Sequence, residues 1–201
     1  EVCLNDLLLE LFSIFDIKAK ENKTPLYLKK QLLDDESRIL TDPLKLNKIL
    51  SNLLENALKF TNDDGFIELG YKLDNNTIII YVKDTGVGIH PDNQKLIFER
   101  FSRGRKEISK NITGLGLGLS IAKENAELIG GEITLKSRKG EGSTFYISFP
   151  YKPVNPKHMT TNNSQALKVN ANKKRTILVV EDEEVNFMYL EILLSRFDNE
   201  I

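Results

Sequence analysis

Asn52, Asn56 and Lys59 are the residues whose types and spacing first point to chemistry. They fall at i, i+4 and i+7, on one face of any helix that carries them, opposite Leu46, Ile49, Leu50, Leu53 and Leu54. Asparagine is disfavoured inside helices because its amide competes for backbone hydrogen bonds, so two of them call for a reason. A neutral amide oxygen can complete a Mg²⁺ shell otherwise filled by water and phosphate. Lys59, one turn on, could reach phosphate oxygens. The same spacing also describes a plain solvated face.

Two glycine-bearing stretches follow. In Asp84-Thr85-Gly86-Val87-Gly88-Ile89 the alternate glycines allow positive φ and close backbone approach to a flat ligand. A carboxylate at that strand end accepts hydrogen bonds only, which matches the exocyclic amino group of adenine. A simple turn would read the same way. Gly114-Leu115-Gly116-Leu117-Gly118-Leu119 leads straight into a helical pattern, where bare backbone N–H groups cradle phosphate. No Lys-Ser/Thr follows, so this is not a Walker loop, and a mobile glycine hinge is the other reading.

These residues need elements to hold them. Leu7, Leu8, Leu11, Phe12 and Phe15 recur at helical spacing, predicting a helix over 5–20. Short strands are expected at 26–32 and 38–40. Asp42-Pro43 is a helix start with Asp as N-cap and Pro in the first turn, so the asparagine helix runs over 43–60. Strands at 66–73 and 77–83 are joined by Asp74-Asn75-Asn76. A helix is predicted over 92–101, then a polar, basic stretch over 102–113. A further helix over 119–129 stops at Gly130-Gly131. Strands at 132–137 and 144–149 close the pattern. Hairpin-linked strands interleaved with helices predict an α/β two-layer sandwich, a mixed sheet with helices on one face.

Residues 1–150 form the patterned domain. Residues 151–175, rich in Asn, Lys, Thr and Pro, read as a solvated linker, and 176–201 resume with the strand-like run Thr176–Val180 and a helical segment. The net charge is −1, from 28 basic and 29 acidic residues, so no global field calls for nucleic acid or an anionic membrane. A single cysteine, Cys3, excludes an internal disulfide and suits a reducing compartment. No apolar run approaches the roughly 20 residues that span a bilayer. A transmembrane sensor could still lie upstream, since residue 1 is Glu.

The order and spacing of these motifs resemble the ATP-binding catalytic domain of sensor histidine kinases, within the superfamily that includes gyrase, the Hsp90 chaperones and the MutL repair proteins. Asn52–Thr61 (NLLENALKFT) is similar to the family's N box, DTGVGI to its first glycine box and IFERF (Ile97–Phe101) to its F box. GLGLGLS is similar to the second glycine box, and GEGSTF (Gly140–Phe145) to the last. The resemblance covers 1–150 and implies a Bergerat-type fold, an ATP and Mg²⁺ site and kinase activity. It implies that Asn56 ligates Mg²⁺ with Asn52 in support and Lys59 near the phosphates. Phe60 would lie over the adenine, whose amino group Asp84 would read, with Gly86, Gly88 and Ile89 shaping that wall. Residues 89–113 would form a lid, in which Phe101, Arg100, Arg103, Arg105 and Lys110 are candidates for contacts, and His90 a lid-edge residue. Gly114, Leu115, Gly116, Leu117, Gly118, Leu119 and Thr144 would complete the nucleotide site.

The gyrase-like and Hsp90-like members resemble this helix but carry a Glu one turn before the metal-binding Asn, as general base for water. Here that position is Asn52, which takes no proton, so transfer to an incoming imidazole fits better than hydrolysis. The phosphoacceptor histidine of such kinases sits in a dimerising hairpin, and nothing like it occurs in this chain. ATP binding without autophosphorylation in isolation is therefore expected. The run ILVVEDEEVNFMYLEILLSRF resembles the first strand and helix of a receiver domain, with Glu181 and Asp182 at the strand end. The implied parent is a bacterial hybrid kinase with this segment in the cytoplasm, anchored through the inner membrane if it carries a sensor there. Its implied partners are that hairpin and a receiver domain, with neither nucleic acid nor direct membrane contact. A nucleotide-binding regulatory module without transfer activity, and an ATP-hydrolysing clamp, are the competing readings.

Overall fold

In the computed structural model the described residues are 1–100 and 117–154. The order is β1 (Val2–Cys3), α1 (Leu4–Glu21), β2 (Leu26–Lys29), β3 (Arg38–Ile39), α2 (Pro43–Phe60), β4 (Ile67–Asp74) and β5 (Thr77–Asp84). Then come α3 (Pro91–Gln94), a 3₁₀ turn (Leu96–Phe98), α4 (Gly118–Leu128), β6 (Glu132–Arg138) and β7 (Gly142–Pro150).

Period-two alternation builds the sheet. Ile78, Ile80 and Val82 of β5 are buried, as are Phe145, Ile147 and Phe149 of β7, while the intervening side chains face outward. Five strands pair in the order β2-β4-β5-β7-β6, with β2 parallel to β4 and every other pair antiparallel. The helices cover one face, so the expected mixed, mostly antiparallel sandwich is the fold observed.

The helix stripes meet that sheet. Leu4, Leu8, Leu11 and Phe15 of α1 and Leu46, Ile49, Leu50, Leu53 and Leu54 of α2 are buried together with the inward strand residues. Asp42 caps α2: its carboxylate accepts from the Leu44 and Lys45 N–H groups at 3.0 and 3.2 Å, and Pro43 occupies the first turn. The Lys45 ammonium, hydrogen-bonded to Asp42, holds that carboxyl below the usual range. A second polar tie joins α1 to the sheet. The buried Asn5 accepts from the Tyr71 hydroxyl at 2.7 Å and donates to Leu32 O and Asp34 Oδ1. Burial pushes the Tyr71 phenol up to about 12.

Two boundaries differ from expectation. The helix predicted over 92–101 is broken into α3 and the 3₁₀ turn, with Glu99 extended. Two tertiary anchors break it. The Gln94 amide donates to Ile89 O and Ser137 O at 3.0 and 2.9 Å, and Phe98 sits edge-on to Phe145. Nor does the chain turn to solvent at Pro150. Tyr151 is buried, its N–H donating to Asn76 O and its hydroxyl to Glu36 O, and Pro153 bridges Ile39. The rest of the expected linker and the receiver-like run lie outside the described residues.

Candidate functional site

Three separate stretches converge where α2, the end of β5 and the β6–β7 turn meet, and the glycines record how closely. At Gly86 a Cβ would lie 2.1 Å from Phe60 O, at the end of α2. At Gly142 it would lie 2.1 Å from Asp84 O, and at Gly88 2.0 Å from Arg138 O. Backbone hydrogen bonds seal the same contacts, from Val87 N–H to Phe60 O (3.2 Å) and from Gly140 N–H to Val87 O (2.8 Å). Of the two glycines in the DxGxG turn only Gly88 has positive φ, +63°. Gly86 is required by proximity to α2, a reason its local sequence does not carry.

Asp84, at the end of β5, is 6% exposed. Its Oδ1 accepts from the Gly86 N–H at 2.9 Å and the Ser143 N–H at 3.2 Å. Among the described residues no donor reaches Oδ2. Burial pushes the Asp84 carboxyl above the usual carboxylate range, against the two backbone donors that favour its charge. Ser137 supports the corner from behind: its Oγ accepts from Ile89 N–H at 2.8 Å and lies 3.0 Å from both Gly142 O and Ser143 Oγ. Thr85 Oγ1 accepts from Phe66 N–H, tying the turn to the start of β4.

On α2, Asn52, Asn56 and Lys59 fall at the spacing that puts them on one face, while Glu55 is exposed. The Asn52 side chain meets the start of α4, where a Cβ on Gly118 would stand 3.3 Å from its Oδ1. Its Nδ2 is buried without a hydrogen-bond partner among the described residues. A buried amide donor left unmatched is costly, and such a group in a native fold asks for an explanation. Lys59 Nζ stands over the Phe60 ring, 5.4 Å from its centroid.

The predicted site residues therefore divide. Asn52 with Gly118, and Phe60 with Gly86 and Asp84, are brought together. Ile89 flanks them, half-buried against the core. Leu117 and Leu119 bracket the start of α4 and are both partly buried. Thr144 is not brought in: it pairs with Lys83 and Lys136 on the open face of the sheet, and its neighbour Ser143 meets Asp84 instead. Arg100 donates through Nε and Nη2 to Glu124 of α4. His90 caps α3, its Nδ1 accepting from Asp92 N–H at 3.3 Å. Phe101, Arg103, Arg105, Lys110, Gly114, Leu115 and Gly116 lie outside the described residues. Ser137, Ser143 and Gln94 escaped sequence reasoning, and only Ser143, beside Gly142 at a strand start, carried any local signal.

The model for the histidine kinase-, DNA gyrase B- and HSP90-like ATPases matches residues 41–153. The chain belongs to that family. The autoinducer 2 sensor kinase/phosphatase LuxQ of Vibrio parahaemolyticus is 30% identical over 188 residues, 90% of this chain and 22% of that protein. The circadian input-output histidine kinase CikA of Synechococcus elongatus is 34% identical over 163 residues, 79% of this chain and 22% of its own length. This member of the ATPase family thus spans 22% of the length of both relatives. Among solved structures, the catalytic domain of histidine kinase ThkA superposes with a TM-score of 0.64 at 25% identity, covering 76% of this chain and 95% of that one. Full-length ShkA in complex with AMPPNP superposes with a TM-score of 0.66 at 28% identity, covering 76% of this chain and 31% of that one. The domain is thus the ATPase-family domain of a histidine-kinase type. No helix among the described residues is long and apolar enough to cross a membrane.

Proposed function

We propose that this domain binds Mg²⁺–ATP and hands the γ-phosphoryl group to a histidine on a separate phosphoacceptor hairpin, as the catalytic part of a two-component kinase. The observation that carries the transfer reading is Asn52. On the helix face that looks toward α4 the position one turn before Asn56 holds an amide, whose buried Nδ2 lacks a partner among the described residues. An amide cannot deprotonate water, yet it can donate to a phosphate oxygen. Phosphoryl transfer depends mainly on positioning and charge neutralisation, which suits such a site.

In this reading Asp84 Oδ2 accepts from the adenine amino group, and the backbone against Gly86 and Gly142 forms the base's wall. Phe60 lies toward the ring. Asn56, through its amide oxygen, and Lys59 face the phosphates, and Gly118 at the start of α4 abuts Asn52 beside them. Among the described residues no group of three His, Cys, Asp or Glu stands together as a metal site, so the ion would be held by Asn56, water and phosphate. Bound there, Mg²⁺ would neutralise charge on the leaving diphosphate. The incoming imidazole nitrogen bonds to the γ-phosphorus as the bond to the bridging oxygen breaks. ADP leaves with that electron pair, and the imidazole proton passes to solvent.

The hairpin, and a receiver domain downstream, would be the protein partners, in a cytoplasmic setting. The test mixes this chain and labelled Mg²⁺–ATP with a histidine-bearing hairpin from a related kinase. Acid-labile, base-stable label on the hairpin, sharply weakened by Asp84→Asn at limiting ATP, is the expected result. ATP binding without such label would leave a regulatory nucleotide-binding module. Sustained phosphate release by the chain alone would instead return the clamp-ATPase reading.

A further inference from the structure

We propose that residues 36–40 form a shared clasp, through which the chain arriving at α1 and the chain departing after β7 act on one another and on the root of α2. The segment is short and lies outside the five-stranded sheet, yet both flanks are bonded. On one side β1 pairs antiparallel with β3, Val2 opposite Ile39 and Cys3 opposite Arg38. Leu4 N–H donates to Ser37 O at 2.9 Å, and Cys3 Sγ lies 3.2 Å from Ser37 Oγ. On the other side Ile39 bridges Pro153, with Leu40 N–H donating to Lys152 O at 2.8 Å and Val154 N–H to Arg38 O at 3.0 Å. The Tyr151 hydroxyl adds a bond to Glu36 O at 2.7 Å.

Segment 36–40 is thus paired with β1 on one edge and bridged to Pro153 on the other, and those two flanks are the first and last described pieces of the chain. Neither flank needs the other for local stability: two or three residues could end as loose coil. Instead their backbone groups are spent on a common partner. Ser37 and Ile39, at 0% and 1% exposure, are locked in the core between them. A short segment bonded on both edges is ordered from both sides: alternate residues bond opposite neighbours, so freeing one edge loosens the backbone dihedrals that aim the groups on the other.

The clasp also has a route to the site. Two residues beyond Leu40 stands Asp42, the N-cap that sets the start of α2, and α2 carries Asn52, Asn56 and Lys59. A pull on either flank therefore reaches the helix that faces the phosphates. That regulatory meaning rests on the nucleotide reading above; the coupling itself does not, and its test uses no nucleotide.

Amide hydrogen exchange in the whole chain decides it. Tyr151→Phe removes the hydroxyl bond to Glu36, and Cys3→Ala removes the thiol contact to Ser37. Losing one hydrogen bond shifts a local opening equilibrium by roughly three- to tenfold. Tyr151→Phe is expected to speed exchange by about that factor at Leu40 and Val154, and also at Leu4 across the clasp. Cys3→Ala should act reciprocally, speeding Val154. Core amides of β5, Ile78 to Val82, should keep their rates in both variants. Two results overturn the clasp: acceleration confined to the mutated flank, or an equal rise throughout β5, which would mean general loosening. A clasp that passes while ATP binding fails elsewhere would separate this inference from the proposed function.

Discussion

The two sides of the candidate site, the Asp84 wall and the α2 wall, are built on opposite terms. On the Asp84 side most polar groups are already committed: Oδ1 to two backbone donors, Ser137 to Ile89, Gly142 and Ser143, Gln94 to two carbonyls. Glycine lets backbone touch backbone there, so the wall is rigid before any ligand arrives. On the α2 side, Asn52 presents a buried donor with no partner among the described residues, and Gly118 abuts its oxygen. A rigid wall suits a flat base whose shape does not change during reaction. A wall with an unspent donor suits phosphates whose charge moves. In the proposed reading, preorganisation lies where the base is recognised and unsatisfied capacity where the phosphates supply the partner.

The largest effect should come from breaking the rigid wall. Gly142→Ala adds a Cβ that would lie 2.1 Å from Asp84 O, in a residue whose φ is +93°. Left-handed strain and overpacking against backbone together cost on the order of 2–5 kcal/mol. Thermal or denaturant unfolding should show that loss without any nucleotide. A midpoint equal to wild type would mean that the turn relaxes freely and that the wall is not rigid. Asp84→Asn comes next and separates recognition from folding. The Asn Oδ1 can keep both backbone donors while its amide repels the adenine amino group, so ATP affinity should fall about 10- to 100-fold by titration calorimetry. The apo unfolding midpoint should stay level or rise, since burial disfavours the charge that Asn removes.

The softer wall predicts the reverse balance. Asn52→Leu removes a buried donor without a described partner and keeps the volume, so the apo domain should gain about 1 kcal/mol. ATP should bind roughly three- to tenfold more weakly, and AMP, which lacks the outer phosphates, should be unaffected. Equal loss for AMP and ATP would move Asn52 from the phosphates to the base.

How much of this was legible depended on whether the cause lay close in sequence. Asp42-Pro43 and the leucine period are local, and α2 begins and ends where they predict. The alternation of β5 and β7 is local too. The break after Gln94 was not, because its reason is a carbonyl of Ser137, 43 residues away. Gly86 was recognised for its conformational freedom but is needed for its closeness to Phe60, which exists only once α2 and β5 are docked. Thr144 and Ser143 differ by one position, and a strand's period of two sends them to opposite faces; the motif did not say which face held the site. β1 and residues 151–154 have no pattern of their own, since each is defined by pairing with 38–40.

The smallest effect is the dependence on pH, and it sets the two properties of Asp84 against each other. Burial raises its folded pKa above the ordinary 3.8. Below 3.8 the carboxyl is protonated in folded and unfolded chains alike, and its contribution to stability is fully present. As pH rises past 3.8 the unfolded chain ionises first and binds fewer protons than the folded one, so stability is lost until pH passes the raised folded value. Adenine recognition runs the other way, because only the ionised carboxylate accepts freely from the amino group. Acidification through the raised pKa should therefore weaken ATP binding while steadying the apo fold. Differences between wild type and Asp84→Asn, taken at each pH by calorimetry and thermal unfolding, remove the titration of all other groups. If both differences move in the same direction with pH, the carboxyl is not reading the base, and the rigid wall would be architecture alone.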